Sequence, residues 1–315
     1  MRLLRSLDNL PPDLLRGAVA IGNFDGVHRG HARIVERLLS KAREVDGPAV
    51  VFTFDPHPVR LLRPQEAPPP LTWTDRKAQL LDELGVTAVV AYPTDEELLS
   101  LSPQQFFDRI VRQRLAARAM VEGPNFFFGR GRAGNIDVLG QLCQAAGVSL
   151  EIVQPLVVGD QYVSSSRVRE AIAGGDVDLS RLLLTRPYRI RGMVTHGAGR
   201  GAKIGFPTAN VSAIDTLLPG QGVYAARAMA PLGTWPAAVN VGPNPTFGES
   251  ALKVEVHLIG FEGSLYGQPL EVDFLARLRD IQPFESALAL QRQLAADVAA
   301  AERIAHSEPD DDEDG

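Results

Sequence analysis

Two rhythms divide this chain, and together they limit what it can fold into. Up to about Leu184, short apolar runs at residues 18–21, 49–54, 88–92, 119–121 and 150–153 alternate with helical patterns at 33–43, 75–84, 103–115 and 136–146. Such alternation predicts a mostly parallel sheet covered on both faces, because parallel neighbours need a crossover between them. Beyond Leu184, strand-like runs at 188–195, 222–228, 237–241, 252–259 and 270–274 follow one another across glycine- and proline-bearing turns. No long helical pattern intervenes before Ser286, so this half predicts an antiparallel barrel or sandwich. A final helix with the stripe Leu290, Leu294, Val298 and Ile304 is expected to pack on it. The expected organisation is an α/β domain over 1–184, a β domain over 185–305 and a tail over 306–315. The boundary falls at Thr185, Arg186 and Pro187, and no internal repeat links the halves.

At 315 residues the chain is longer than one typical domain, which suits that division. Its net charge of −6 is concentrated near the end, where Glu308, Asp310, Asp311, Asp312, Glu313 and Asp314 cluster; the remainder is close to neutral. A run of like charge without apolar residues is expected to stay disordered and solvated. No basic surplus supplies an electrostatic footprint for nucleic acid. The single cysteine, Cys143, excludes an intramolecular disulfide and a cysteine zinc cluster. Its place in a helical pattern with Ile136, Leu139 and Leu142 makes it a small buried apolar residue. The opening MRLLRSLDNLPPDLL is too broken by charge and proline for a signal peptide or membrane span. These features predict a cytoplasmic enzyme or binding protein with no membrane or nucleic-acid partner, and they set no oligomeric state.

The densest chemistry in the first half is GNFDGVHRGH, residues 22–31, entered by an apolar run and left by the helical pattern Ile34, Val35, Leu38 and Leu39. Backbone N–H groups at a helix start carry partial positive charge and favour phosphate. His28 and His31, three residues apart, fall on one face of that first turn. Imidazoles at this spacing suit metal binding, phosphate donation or capping; Gly22, Gly26 and Gly30 admit phosphates close to the backbone and favour the phosphate reading. Asp25 fits a turn residue and a site residue equally. Ligands in parallel α/β sheets sit beyond the carboxyl ends of the strands, which is where this turn stands. A second candidate, SSSRVR at 164–169, reads as a helix cap or as a phosphate clamp of Ser164, Ser165 and Arg169. Between them lie FDPHP (54–58), a rigid strand exit containing His57, and GPNFFFG (123–129). The aromatic run of the latter suits a core or, with Asn125 and the glycines, the border of a flat ring.

In the second half, GAGRGAKIGFPTAN (197–210) is rich in glycine but is not a Walker loop, since no G-x-x-x-x-G-K-[ST] occurs. Thr208 and Asn210 offer two uncharged oxygens two residues apart, an arrangement usable at a Mg²⁺–phosphate site. Glu255 alternates with Val254 and Val256 in a strand-like run, where it is either an exposed surface carboxylate or a catalytic one.

Taken in order, these motifs resemble the bacterial bifunctional FAD synthetase family. GNFDGVHRGH is similar to the histidine signature of its FMN adenylyltransferase module, and FDPHP, GPNFFFG and VSSSRVR follow in family order. GRGAKIGFPTAN, GVYA, NVGPNPTFG, VEVHLIG, LYG and LRDIQPF are similar to the successive motifs of its riboflavin kinase module, from Arg186 to about Ala300. The resemblance implies a Rossmann-like nucleotidyltransferase domain followed by a Greek-key β-barrel with a terminal helix. It implies that riboflavin is phosphorylated to FMN and FMN is adenylylated to FAD, with ATP as co-substrate, Mg²⁺ as cofactor and only small-molecule partners. In the first half it assigns His28 and His31 to the charge on the α-phosphoryl group. Gly22, Phe24, Asp25, Gly30, Ser164, Ser165 and Arg169 would surround ATP, with Asn125 and His57 on the flavin side. In the second half it assigns Glu255 as general base, Thr208 and Asn210 to Mg²⁺ and phosphates, and the loop from Gly199 to Gly205 as a flap over the nucleotide.

The chain departs from the family pattern at three places. Phe127 stands where a basic residue is usual, with Arg130 and Arg132 as nearby cations. Ser166 replaces a more frequent threonine and keeps the hydroxyl, while Thr185 replaces a glycine at the module junction. The first departure leaves one rival reading, a riboflavin kinase with impaired adenylyl transfer. A non-catalytic flavin- or nucleotide-binding regulator is the rival outside enzymes. The retained Glu255, Thr208, Asn210, His28 and His31 speak against it, because a binding module needs no general base.

Overall fold

The computed structural model describes residues 1–197, 200–243 and 252–308, with the side chains of Arg200 and Lys203 also outside that description. The chain packs as two compact units, residues 1–68 with 72–165, and residues 69–71 with 166 onward.

In the first unit, among the described residues, six strands form one parallel sheet: β1 (Arg2–Leu4), β2 (Ala18–Ile21), β3 (Ala49–Asp55), β4 (Ala88–Pro93), β5 (Ala119–Glu122) and β6 (Ser149–Ile152), in the order β1-β4-β3-β2-β5-β6. Every residue of β2 is buried, because alternate side chains enter cores on opposite faces. Val19 and Ile21 join Phe52, Phe106, Phe107, Leu139 and Cys143 on one face; Ala18 and Ala20 join Val35, Leu38, Leu80 and Leu81 on the other. Burial pushes the Cys143 thiol up to about 11, as expected of a packing residue and not a reactive one. The chain winds from β2 toward β3 and β4 on one side and returns to β5 on the other. The carboxyl end of β2 is therefore the topological switch point.

Two local differences from expectation have simple causes. β1 pairs in register with Ala88, Val89 and Val90 of β4, yet its three residues are too few to show a periodicity. The helix expected over 103–115 begins with a Ser102–Gln105 capping box and Pro103 in its first turn, but widens to a π-helix over Phe107–Arg114.

In the second unit, β9 (Tyr188–Thr195), β10 (Ala209–Ser212), β11 (Gly222–Ala230), β12 (Gly233–Gly242), β13 (Lys253–Leu258) and β14 (Pro269–Arg279) close an antiparallel barrel; the two-residue strands β7 (Val157–Val158) and β8 (Gln161–Tyr162) belong to the first unit. The spatial run β14-β11-β12-β13 is a Greek key: three consecutive strands, with the fourth returning beside the first. The terminal helix Ala287–Ser307 packs on β11, β12 and β14. Its expected stripe is only half-buried, and the buried positions are Asp297, Ala301 and Ala305. Small residues allow close approach there, and Asp297 is buried because Arg279 grips both its oxygens at 2.8–3.1 Å.

Packing divides the chain earlier than the rhythm suggests, since the helix Val177–Leu184 rests on β9 and β14. Order also extends further than expected at the other end. Glu308 ion-pairs with Arg181 and its carbonyl accepts from Arg227 at 3.0 Å, so an anchored charge replaces the start of the solvated tail. Residues 309–315 lie outside the described residues.

Thr185 ends the helix Val177–Leu184 in the left-handed region, at φ +70°. Glycine enters that region without a Cβ penalty, which is the physical reason for glycine at this cap. Thr185→Gly is expected to raise stability by about 1 kcal/mol, the usual left-handed cost of an L-residue. Calorimetry would read this as a higher Tm of the barrel transition.

Candidate active sites

At the switch point the ladder between β2 and β5 covers only Ala18 with Ala119 and Val19 with Met120. Beyond it, the N–H of Ile21 donates to the Glu122 Oε1 carboxyl oxygen at 2.8 Å. Complete burial drives the Glu122 carboxyl well above the usual range, against the pull of the Ile21 N–H. Burial therefore favours the protonated form of Glu122 beneath the turn. Nothing in the sequence pattern marks Glu122, because its role depends on where a neighbouring strand stops pairing.

The turn itself is strained. Phe24 and Val27 hold positive φ values of 45° and 38°, and Gly26 lies at 83°. For a β-branched residue this is an outlier costing about 1–3 kcal/mol. The Phe24 and Val27 side chains are buried in the core beneath, which holds the loop in place. Asp25 organises the turn. Its Oδ1 accepts from both the N–H and the hydroxyl of Thr72, at 3.1 and 3.3 Å, and its carbonyl accepts from the Ser165 hydroxyl at 2.9 Å. Asp25 thus ties two loops to the turn.

The helix Arg29–Glu44 starts earlier than expected, with His28 as its N-cap. His28 Nδ1 accepts from the His31 N–H at 3.3 Å. The two rings stack at 3.7 Å between centroids and 12° apart in plane, with Phe24 tilted against His31 at 4.9 Å. Gly30 makes this possible, since a Cβ there would meet the His28 ring at 3.1 Å and Val163 O at 3.4 Å. The structure therefore gathers Gly22, Phe24, Asp25, His28, Gly30, His31, Ser164 and Ser165 at one strand end.

Other expected residues are placed differently. Arg169, counted with the second unit, donates through Nε to Pro69 O at 2.9 Å. His57 caps the short helix Pro58–Leu62, its Nδ1 accepting from Val59 N–H at 3.1 Å. Asn125 lies exposed in the turn after β5. Of the aromatic run, Phe128 is core and Phe126 stacks on it at 5.3 Å, while Phe127 projects outward. The Arg132 guanidinium lies 4.5 Å above the Phe127 ring, a cation–π contact.

In the barrel, Val254, Val256 and Leu258 point inward and Glu255 faces out on β13. Register sets Glu255 directly opposite Asn210 on β10 and Asn240 on β12. Adjacent strands thus present a carboxylate between two amides, and the Asn240 Nδ2 is buried with no hydrogen-bond partner. Asn240 was visible in the NVGPNPTFG motif, but only the register brings it to Glu255. β10 is hidden in the sequence by the glycine-rich stretch before it. Gly197 is required for close approach, since a Cβ there would lie 2.0 Å from the Asn210 Nδ2. His257 Nδ1 donates to Pro207 O at 2.7 Å and steadies the backbone leading to Thr208. Gly205, in the expected flap, has φ +88°, while Gly199 lies outside the described residues.

A parallel sheet with a histidine-bearing turn at its switch point, followed by a closed antiparallel barrel, fits a two-module protein of the nucleotidyltransferase–flavokinase class. A family model for FAD synthetase matches residues 11–167, and one for riboflavin kinase matches residues 184–305. The chain belongs to the bifunctional riboflavin kinase/FMN adenylyltransferase family. It is 40% identical to the member from Pseudomonas fluorescens, with 97% of this chain and 98% of the relative covered. It is 34% identical to that of Escherichia coli K12, with 94% and 96% covered. A solved structure described as a macrolide-efflux protein from Streptococcus pneumoniae matches 96% of this chain and 98% of its own, with a TM-score of 0.83 and 29% identity. Among the described residues of this chain no helix is long and apolar enough to cross a membrane.

Glu122 has a measurable consequence. Between the unfolded carboxyl pKa, about 4.3, and its raised folded value, the folded state keeps a proton that the unfolded state has released. Stability is then lost as pH rises, by up to about 1.4 kcal/mol per unit within that window. Glu122→Gln keeps an acceptor for Ile21 and removes the titration. Its stability relative to the parent is expected to rise with pH above the unfolded carboxyl pKa in urea unfolding, and a difference that stays constant with pH would contradict a raised Glu122 pKa.

Proposed function

We propose that the chain makes FAD from riboflavin in two ATP-dependent steps, each on its own unit. The barrel transfers the γ-phosphoryl group of ATP to the riboflavin 5′-hydroxyl, giving FMN and ADP. The sheet domain joins the FMN phosphate to the α-phosphoryl group of a second ATP, giving FAD and pyrophosphate. The observation that carries this reading is that one chain holds both constellations: stacked histidines at the switch-point turn, and Glu255 in register between Asn210 and Asn240.

In the kinase step Glu255 accepts the hydroxyl proton as the 5′-oxygen attacks. Asn210 and Thr208 supply hard, uncharged oxygens. Hard oxygens of this kind fit an ion that arrives with phosphates, as Mg²⁺ does. Mg²⁺ held there would neutralise charge on the transferred phosphoryl group. In the adenylyl step the nucleophile is already an anion, so no covalent enzyme intermediate is required. His28 and His31 stabilise charge growing on the α-phosphoryl oxygens, and the first turn of Arg29–Glu44 adds its partial positive charge. Ser164 and Ser165 hold the triphosphate, while Asn125, His57 and the Phe127–Arg132 pair border the flavin. That pair offers a cation beside Phe127, which disfavours the reading of impaired adenylyl transfer. The reading places the enzyme in the cytoplasm, where its co-substrate ATP is made.

Purified protein given riboflavin, ATP and Mg²⁺ is expected to form FMN and then FAD on chromatography. FMN alone would reduce the function to the kinase, and unchanged riboflavin would leave only a binding role. Glu255→Gln is expected to lower FMN formation by about 10²–10⁴ while sparing FAD formation from supplied FMN. His28→Ala should do the reverse, lowering adenylyl transfer by about 10²–10³ with the kinase rate intact. Loss of both activities in either variant would contradict separate sites.

A further inference from the structure

Lys77 is a buried lysine that no motif singled out. It sits on the helix Thr74–Glu83 and is only 8% exposed. Its ammonium makes one long hydrogen bond, from Nζ to the Thr53 hydroxyl at 3.4 Å. Among the described residues it has no ion pair. Asp25 and Asp55 attract it from a distance, but their oxygens serve others: Asp25 Oδ1 accepts from Thr72, and Asp55 Oδ2 accepts from Thr74 at 2.7 Å and Arg5 at 3.3 Å. A charged group this deep, with donor protons to spare, is costly unless an anion completes its shell. Burial accordingly holds the ammonium below the ordinary lysine range, against the pull of those carboxylates.

The corner Lys77 occupies belongs to the switch point. Thr53 lies near the carboxyl end of β3, and its hydroxyl also donates to the Asn23 carbonyl at 3.1 Å, inside the histidine turn. The Asn23 Oδ1 is itself buried without a hydrogen-bond partner. Thr53 thus links the Lys77 ammonium to the backbone of the histidine turn, and the ammonium keeps donor protons that no group fills among the described residues. The anion available to an adenylyltransferase is a phosphate, either of ATP or of FMN. β3 runs from Thr53 directly into FDPHP, the segment that the proposed function places beside the flavin.

We propose that Lys77 binds the phosphate of FMN and holds the attacking oxygen for transfer. This rests on the reading that the sheet domain adenylylates FMN. A rigid ammonium suits this role, because Thr53 fixes it from one side and leaves its other protons for phosphate oxygens.

The test measures FAD formation by the full chain with Mg²⁺ and ATP, varying FMN and ATP separately, with riboflavin phosphorylation in the same sample as the control for folding. Lys77→Met is expected to raise KM for FMN at least tenfold, with KM for ATP and the kinase rate changed less than twofold. Lys77→Arg should bring KM for FMN back to within about threefold of the parent, since the charge returns. An unchanged KM for FMN, or an equal rise for ATP, overturns the proposal. Should Lys77→Met fail to fold, lysine-labelled parent protein decides by NMR, with the Lys77 resonance assigned from Lys77→Arg. FMN should move that resonance, while riboflavin and ATP alone should not. No response to FMN, or the same response to ATP, sinks the idea. A parent protein that makes no FAD overturns the functional reading itself, whereas FAD formation with Lys77→Met kinetics like the parent overturns only the role of Lys77.

Discussion

The first unit depends on one constraint: its central strand, Ala18–Ile21, has no face exposed to water. Both faces are given to cores, so any chemistry must lie at the strand's end. There the ladder to β5 stops short, and a buried carboxyl, Glu122, takes the last N–H. A charged carboxylate at that depth would be expensive, and a missing acceptor would leave Ile21 unsatisfied. The chain then turns through strained residues whose side chains, Phe24 and Val27, are anchored in the core below. The histidine stack is a consequence of this sequence of constraints. The helix begins at His28 because the turn delivers the backbone there, and Gly30 leaves space for the ring.

The barrel solves a different problem, that of register. Closure removes open edges, and the period of two along each strand commits Val254, Val256 and Leu258 to the interior. Glu255 must then face outward, opposite Asn210 and Asn240 on the adjoining strands. A slip of one residue would send the carboxylate into the core and the valines into solvent, at a prohibitive cost. The hydrophobic core therefore enforces the geometry of the polar site. Ion pairs such as Arg189 on both oxygens of Asp273 and Arg279 on Asp297 keep the few buried charges compensated.

Much of this was legible in the chain. Runs such as 18–21, 136–146 and 188–195 coincide with observed elements, because each is long or apolar enough for its period to dominate. The histidine pair and Glu255 were legible as chemistry. β1 and β10 were not, since three or four residues carry too little pattern, and β10 follows a glycine-rich stretch. The roles of Glu122, Asn240 and Lys77 were invisible for a deeper reason. Each is defined by what a distant segment leaves unpaired: Ile21 for Glu122, the β12–β13 register for Asn240, and Thr53 for Lys77. The bond from Thr72 to Asp25 was invisible for the same reason, since it joins segments 47 residues apart.

By itself the sequence determined the two architectures, the switch-point turn and the family, because hydrophobic period and local motif are properties of contiguous residues. Tertiary structure decided which polar groups are charged, which are caps and which stand in register. Those outcomes depend on burial and on partners far apart in the chain, as with the buried Glu122 carboxyl under Ile21 and Glu255 between Asn210 and Asn240.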